Sequence, residues 1–394
     1  MSLTIRSTAF AIALMFCAQA TALPATVAGT PYEMNAVIPL TGPGAFLGSA
    51  FAQTFKALEI VVNESGGIGG RPLKFVVADS TSAPPVSLQL MNALIAKKVP
   101  LIIDGGPSFV CNPTIALVQK SGPLDYCLSN AVHPDPGSFA FSTGVSTTDF
   151  TEVLIRYLRL RGWTRLALIT GTDATGADFD VQVARVLDMR ENAGVKIVQH
   201  EHFNPGDLSV AAQMSRIKAA APQAVMTWST GTPFGTVLHG LHDAGLDVPV
   251  TAVPSNQNYT QMATYATFLP QTLYFPSHRA VTKTGTGKGP IRDAQMVYFN
   301  AFKRIGVRPD FATNLVWDPV MIMVAALRAI GPDATSEQLR AYIEGIHSWA
   351  GINGIYDFRA GDQRGVGQNA IDIQRWDPTL GDFVAVSKPR GFPL

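Results

Sequence analysis

The chain has 394 residues, 47% of them hydrophobic and only 15% charged, enough apolar material for roughly two domain cores. Its 30 basic side chains face 29 acidic ones, and no cluster of Lys and Arg interleaves with aromatics. That balance offers no field to attract phosphate, which excludes nucleic acid as a partner.

At the N-terminus, Arg6, the apolar run from Ala9 to Ala18 and the triplet Ala20-Thr21-Ala22 have the pattern of a signal peptide over residues 1–22. Phe16 precedes Cys17 where lipidation requires a small residue, so cleavage after Ala22 is expected rather than a lipid anchor. Removal takes away Arg6 and no acid, leaving 29 bases against 29 acids. No later run approaches the roughly 18 to 20 uninterrupted apolar residues that span a bilayer, so the mature chain is expected to be free and soluble.

Beyond this segment, apolar runs of strand length alternate with helical patterns. Strands are predicted at 33–39, 73–78, 101–104, 165–170, 196–203, 224–228 and 250–253. They are rich in Val and Ile with little alternation, as in parallel strands covered on both faces. Phe51, Phe55, Leu58 and Val62 recur at helical spacing and give the first helix one apolar stripe. Further helices are predicted over 86–97, 148–161, 179–193, 208–219, 233–244, 292–305, 319–329 and 336–346, several closed by glycines such as Gly162, Gly194 and Gly245. Short strands at 355–358, 370–376 and 383–386 end the chain. The implied class is α/β with parallel sheets. Cys111 and Cys127 remain after processing, in a compartment that permits disulfides; a bridge and a pair of buried thiols are equal readings.

Open α/β sheets bind ligands at the carboxyl ends of their strands. Six loops there, at 40–48, 105–112, 129–134, 171–176, 229–233 and 254–259, are poor in charge and rich in Gly, Ser, Thr and Pro. Their backbone N–H groups and hydroxyls suit a carboxylate at a helix N-terminus, although the same residues make ordinary βα turns.

Catalytic motifs fail their context. Gly66-Gly-Ile-Gly-Gly70 follows a helix and precedes a strand, the reverse of a dinucleotide fingerprint. The stretch around Gly287-Lys288 has Thr282 and Gly289 where a phosphate loop needs Gly and Ser or Thr. Ser108 lacks the second glycine of a nucleophile elbow and has no assignable His–Asp partner. His200 and His202 share a strand face and His239 and His242 a helix face, but no cysteine or carboxylate set completes a metal site. Neither a metal nor a cofactor is expected.

Pro39-Leu-Thr-Gly42, Ala45, Gly48, Asn63, Gly66-Gly-Ile68, Gly70 and Asp79 together resemble the N-terminal pattern of type I periplasmic binding proteins of ABC importers, in particular the branched-chain amino acid (Leu/Ile/Val) group. The resemblance extends over nearly the whole mature chain. It implies two Rossmann-like lobes with parallel sheets joined by a three-strand hinge, with residues 30–144 plus 275–350 in one lobe and 145–274 plus 351–394 in the other. It further implies a monomeric periplasmic protein, not an enzyme, that traps a small molecule by hinge closure and delivers it to a membrane ABC permease.

By the same resemblance, the carboxylate-binding positions fall at Ser108 and Phe109 and, in the next loop, at Ala131 and Val132, the last offering only its backbone. Thr175 stands in the opposite lobe where the family often has an aromatic. Thr230 and Asn256 sit in the two remaining loops. Where amino-acid binders commonly place an acid for the ligand's ammonium, this chain has Ser255, Asn256, Gln257 and Asn258; Asp173 is the one acid that could substitute. A buried ammonium without an anionic partner is costly, so the missing acid points away from a plain α-amino acid. Phe46, Leu47, Phe109 and Trp317 offer apolar and aromatic walls for a larger carboxylate, although each also reads as core. The expected ligand is a small carboxylate, with an aromatic organic acid the favoured kind. The alternatives are an amino-acid or amide binding protein of the same family, and an exported hydrolase or sensory ligand-binding module.

Overall fold

The Val- and Ile-rich runs form two separate sheets, and the computed structural model describes them within residues 27–283 and 287–394. The expected signal peptide lies outside the described residues. Strands β1 (Tyr32–Ile38), β2 (Leu73–Asp79), β3 (Leu101–Asp104), β4 (Leu124–Cys127) and β5 (Ala140–Ser142) make an all-parallel sheet in the order β2-β1-β3-β4-β5. The second sheet contains β6 (Arg165–Gly171), β7 (Lys196–Phe203), β8 (Ala224–Trp228), β9 (Val250–Ala252) and β10 (Leu273–His278). After a two-residue-per-strand hairpin of β11 (Trp349–Ala350) and β12 (Ile355–Tyr356), β13 (Ile371–Asp377) and β14 (Asp382–Ala385) join that second sheet. Its order is β14-β13-β10-β9-β8-β6-β7, parallel from β7 to β10 and antiparallel beyond.

Helices cover both sheets: α1 (Ala45–Glu64), α2 (Pro84–Ala96), α3 (Ser108–Val118), α4 (Thr147–Leu160), α5 (Ala174–Leu187), α6 (Ala211–Ala219), α7 (Thr232–Asp243), α8 (Tyr259–Thr264), α9 (Arg279–Thr282), α10 (Pro290–Arg304), α11 (Phe311–Ile330) and α12 (Ser336–Glu344). The stripe of Phe51, Phe55, Leu58 and Val62 on α1 is fully buried, and α1 packs against α11. Both of these helices are long and apolar enough to cross a membrane by composition alone. Here they are the interior helices of the first lobe.

The family-like N-terminal pattern turns out to be structural. Asp79, at the end of β2, accepts hydrogen bonds from the N–H groups of Leu40, Thr41 and Thr81 and from the Thr41 hydroxyl at 2.7–3.2 Å. Partial burial raises its pKa, but these donors outweigh that and hold it below the usual carboxylate range. They pin the 40–48 loop to the sheet. Asn63 exchanges two hydrogen bonds with the backbone of Leu73, clipping α1 to β2. Between them Gly67 sits at φ +64°, where a Cβ would lie 2.1 Å from the Arg71 carbonyl, so the tight turn requires glycine.

Several boundaries differ from expectation for local reasons. Helix α11 begins at Phe311, eight residues before Pro319, because Asp310 and Thr313 form a reciprocal capping box there and Pro319 is accommodated inside the helix. Helix α5 begins at Ala174 rather than Phe179, capped by Asp173. Strand β10 was obscured by Pro276, which lies beyond the two residues that pair with β9, where its missing N–H costs that ladder nothing. All of β10, residues 273–278, belongs to the second sheet. Residues 351–365 stay with the first lobe: Phe358 packs edge-on against Phe141, and Gln363 bonds the backbone of Ser138 and Ser142. The chain thus passes between the two sheets after β5, after β10 and before β13. Cys111 and Cys127 are bonded, tying α3 to β4.

Candidate functional site

The loops at the carboxyl ends of the two sheets face one another across a narrow cleft with a cavity of about 40 Å³, so a ligand larger than a few water molecules enters only as the lobes move apart. One wall comes from the first lobe: Leu47 on α1, Gly106 to Ser108 at the start of α3, and Leu128 to Ala131 after β4. The other comes from Thr147 and Phe150 on α4, Thr175 on α5, Trp228 at the end of β8, Thr230 and Ser255. Leu315 on α11 also lines it.

Four helix N-termini reach the cleft; α1 bonds the N–H groups of Ala45, Leu47 and Gly48 to the carbonyls of Gly42 and Gly44, and the other three differ. Helix α4 is capped by the Ser146 hydroxyl and α5 by the Asp173 carboxylate, which accepts the N–H groups of Thr175 and Gly176 at 3.0 Å. Helix α3 follows Pro107 and has no side-chain cap. Its first-turn N–H groups and positive dipole end are the ones available to an anion. The Ser108 hydroxyl stands there, 1% exposed, and meets the Thr175 hydroxyl of the opposite lobe at 3.0 Å.

The apolar part of the lining is aromatic. Trp228 stacks face to face on Phe179 with centroids 3.8 Å apart and 2° between planes, which fixes its ring in the cleft wall. Phe150 packs edge-on against Phe311. No side chain lining the cleft among the described residues carries a charge. Asp173 is occupied in capping α5, so it does not reach in as an ammonium partner.

The lobes touch elsewhere too: Asn258 donates to Asp310 at 2.6 Å, and Arg308 pairs with Asp382. His133 Nε2 lies 2.8 Å from Asp178 Oδ1 on α5. At Gly231, φ is +83°, and an added Cβ would lie 3.0 Å from the Pro43 carbonyl and 3.2 Å from the Phe46 ring.

Five residues expected at the site line the cleft: Leu47, Ser108, Ala131, Thr175 and Thr230. Phe46 instead contacts Gly231 outside it. Four others are elsewhere. Phe109 is next to Ser108 on α3 and therefore faces another direction. Val132 packs with Cys111, Ile115 and Phe139, and its carbonyl accepts from Arg364. The Asn256 amide is consumed in bonding the Gly231 N–H and the Ser229 carbonyl, so it staples two loops together. Trp317 lies in the first lobe's core against Tyr298 and Phe302. Phe150, Trp228 and Leu315 were missed because each reads as core; the place of Trp228 at the end of a strand was the signal that could have found it. Ser108 bonds a hydroxyl and no base, a pairing that does not activate a nucleophile.

Behind the cleft, Arg364 donates to the carbonyls of Asn130, Val132 and Thr143, and Asn130 donates to those of Thr143 and Val145, bracing the connection after β5. Burial pushes the Arg364 guanidinium down to about 10. His278, where β10 ends, is wholly buried beside Phe150 and Phe311, and burial pushes its imidazole down to about 3.

The family model of a periplasmic binding protein matches residues 34–380. A Leu/Ile/Val-binding protein homolog 3 from Brucella melitensis is 22% identical over 359 residues, 90% of this chain and 93% of that protein. Among solved structures, an extracellular ligand-binding receptor from Rhodopseudomonas palustris HaA2 superposes with a TM-score of 0.79 at 20% identity, covering 91% of this chain and all of that one. A solute-binding protein of an ABC transporter from R. palustris, in complex with benzoate, has a TM-score of 0.77 at 17% identity, with 92% and 97% covered. The chain belongs to the periplasmic binding protein family, in the type I group that includes the branched-chain amino acid binding proteins.

Proposed function

We propose that this protein is the exported, periplasmic substrate-binding component of an ABC importer, and that it captures a small aromatic carboxylate between its lobes. The observation that carries the reading is the uncharged cleft, where an uncapped α3 N-terminus and the Ser108 and Thr175 hydroxyls stand near the Phe150 and Trp228 rings. A carboxylate there gains charge-assisted hydrogen bonds from both lobes, and a ring gains the aromatic wall. The ammonium of an amino acid would lose its water and gain no anion. The benzoate complex of the R. palustris neighbour agrees with this direction. Ligand bridging the lobes binds the closed form better than an open one, shifts the hinge equilibrium, and so presents the closed form to a membrane permease.

A second reading, an amino-acid receptor, is favoured by the name of the Brucella relative. Thermal melts of the mature protein with benzoate and with leucine separate the two. At a hundredfold excess over Kd, a ligand of the native state adds about 2.7 kcal/mol of stability. A rise with benzoate and none with leucine is expected; a rise with leucine alone would overturn the aromatic-acid reading.

A further inference from the structure

Outside the cleft, the two histidines of β7 meet the carboxylate that the sequence pattern alone did not reveal. Strand β7 is an edge strand, paired only with β6. Its alternation puts His200 and His202 on one face, with ring centroids 4.3 Å apart. Helix α5 brings Asp180 to that face. His200 Nε2 lies 3.0 Å from Asp180 Oδ1 and His202 Nε2 lies 2.8 Å from Oδ2. Donor atoms of all three residues lie within 4.8 Å of one another.

We propose that Asp180, His200 and His202 form a binding site for a divalent transition-metal ion of the zinc class. Zinc takes imidazole nitrogen at about 2.0–2.1 Å and carboxylate oxygen at about 2.0–2.2 Å, which puts tetrahedral ligand atoms roughly 3.3 Å apart. The two nitrogen–oxygen separations, each to a different oxygen of Asp180, need to open by a few tenths of an ångström, and the two imidazole nitrogens, within 4.8 Å of each other, draw together on the ion. Two imidazoles with one carboxylate suit zinc, nickel or copper, whereas magnesium and calcium prefer all-oxygen sites. The Thr170 hydroxyl donates to Asp180 Oδ2 at 3.2 Å and orients it from the neighbouring strand, as outer partners of metal ligands do. Glu201 points to the opposite face, bound by Arg216, so it does not compete. Both histidine side chains remain partly exposed, 35% and 48%, which leaves a route for the ion and a position for water. The ion would clamp the edge strand to α5. This site is separate from the cleft, although Thr175 lies on the same helix.

The test is calorimetric titration of Zn2+ into the EDTA-stripped mature protein, repeated with Co2+ and followed by visible absorption. One equivalent of tight zinc and a Co2+ spectrum of a nitrogen- and oxygen-ligated ion are expected, with Mg2+ giving no heat. Both signals should vanish in the His200→Ala/His202→Ala variant and persist in His239→Ala, which breaks an exposed His239–Asp243 pair. Thr170→Val should weaken zinc by about tenfold or more. Benzoate or leucine binding in the cleft should be unchanged by the His200→Ala/His202→Ala substitutions, which also reports that the variant is folded. Equal zinc uptake by that variant and the parent, or none by the parent at submillimolar zinc, would overturn the proposal.

Discussion

Ser108→Ala isolates the proposed carboxylate contact. The side chain is 1% exposed, begins the uncapped helix α3, and its hydroxyl meets the Thr175 hydroxyl across the cleft. Removing a hydrogen bond to a charged group costs about 1.5–3 kcal/mol, a loss of affinity of roughly 10- to 150-fold. The cost to folding should be small, because the ligand-free protein gives up one hydroxyl–hydroxyl bond. Calorimetric titration of the carboxylate that shifts the melting temperature reads the affinity. Thr175→Ala should act similarly, and the double variant should lose less than the sum, because both hydroxyls address one group. Ser146→Ala serves as the control: it removes the α4 cap, lowers stability by about 1 kcal/mol and leaves affinity in place. An affinity unchanged within twofold in Ser108→Ala would refute the placement of the carboxylate at α3.

Three further outcomes follow from the geometry. Gly231→Ala places a methyl against Pro43 and Phe46 at a left-handed φ, so it should hold the lobes apart, weaken ligand binding and enlarge the particle seen by small-angle scattering in the presence of ligand. Reduction of the Cys111–Cys127 bridge, or its replacement by two alanines, should cost about 3 kcal/mol for a link 16 residues apart, read in urea melts. His278 has a folded pKa of about 3 against 6.5 unfolded, so the unfolded chain binds the extra proton first. Its contribution is intact above pH 6.5 and is lost as pH falls towards 3; His278→Phe, stacked between Phe150 and Phe311, should flatten the pH dependence of stability over that window relative to the parent.

The sheets were legible because parallel strands covered on both faces leave unbroken Val and Ile runs, as at Leu101–Asp104 and Ala224–Trp228, whose predicted bounds coincide with the observed ones. Helix starts were less legible. Pro319 carries a strong start signal, yet the Asp310–Thr313 box upstream satisfies two backbone donors and lets the helix begin earlier. That displacement also hid Leu315, which the added turns carry to the cleft. The two histidines of β7 were visible as a pair, but their acid stands 20 and 22 residues away on another element. Only the packing of α5 on the sheet brings it in.

The cleft was half legible for a related reason. Its hydroxyl residues, Ser108, Thr175 and Thr230, follow strand ends, where the topology alone directs a ligand. Its aromatic wall does not, since Trp228 and Phe150 have the same sequence appearance as core. The loop 254–259 shows the opposite failure: polar Asn256 looked like a ligand contact and is spent on the backbone of Ser229 and Gly231. That use has its own consequence for binding. Gly231 meets the first lobe through Pro43 and Phe46, so Asn256 fixes the position of a contact on which closure depends while touching no ligand. Substituting it by alanine would leave a buried N–H and a buried carbonyl without partners, at about 1–3 kcal/mol each. The loss would appear in stability and in the fit of the lobes, whereas Ser108→Ala should act on affinity with the fold intact.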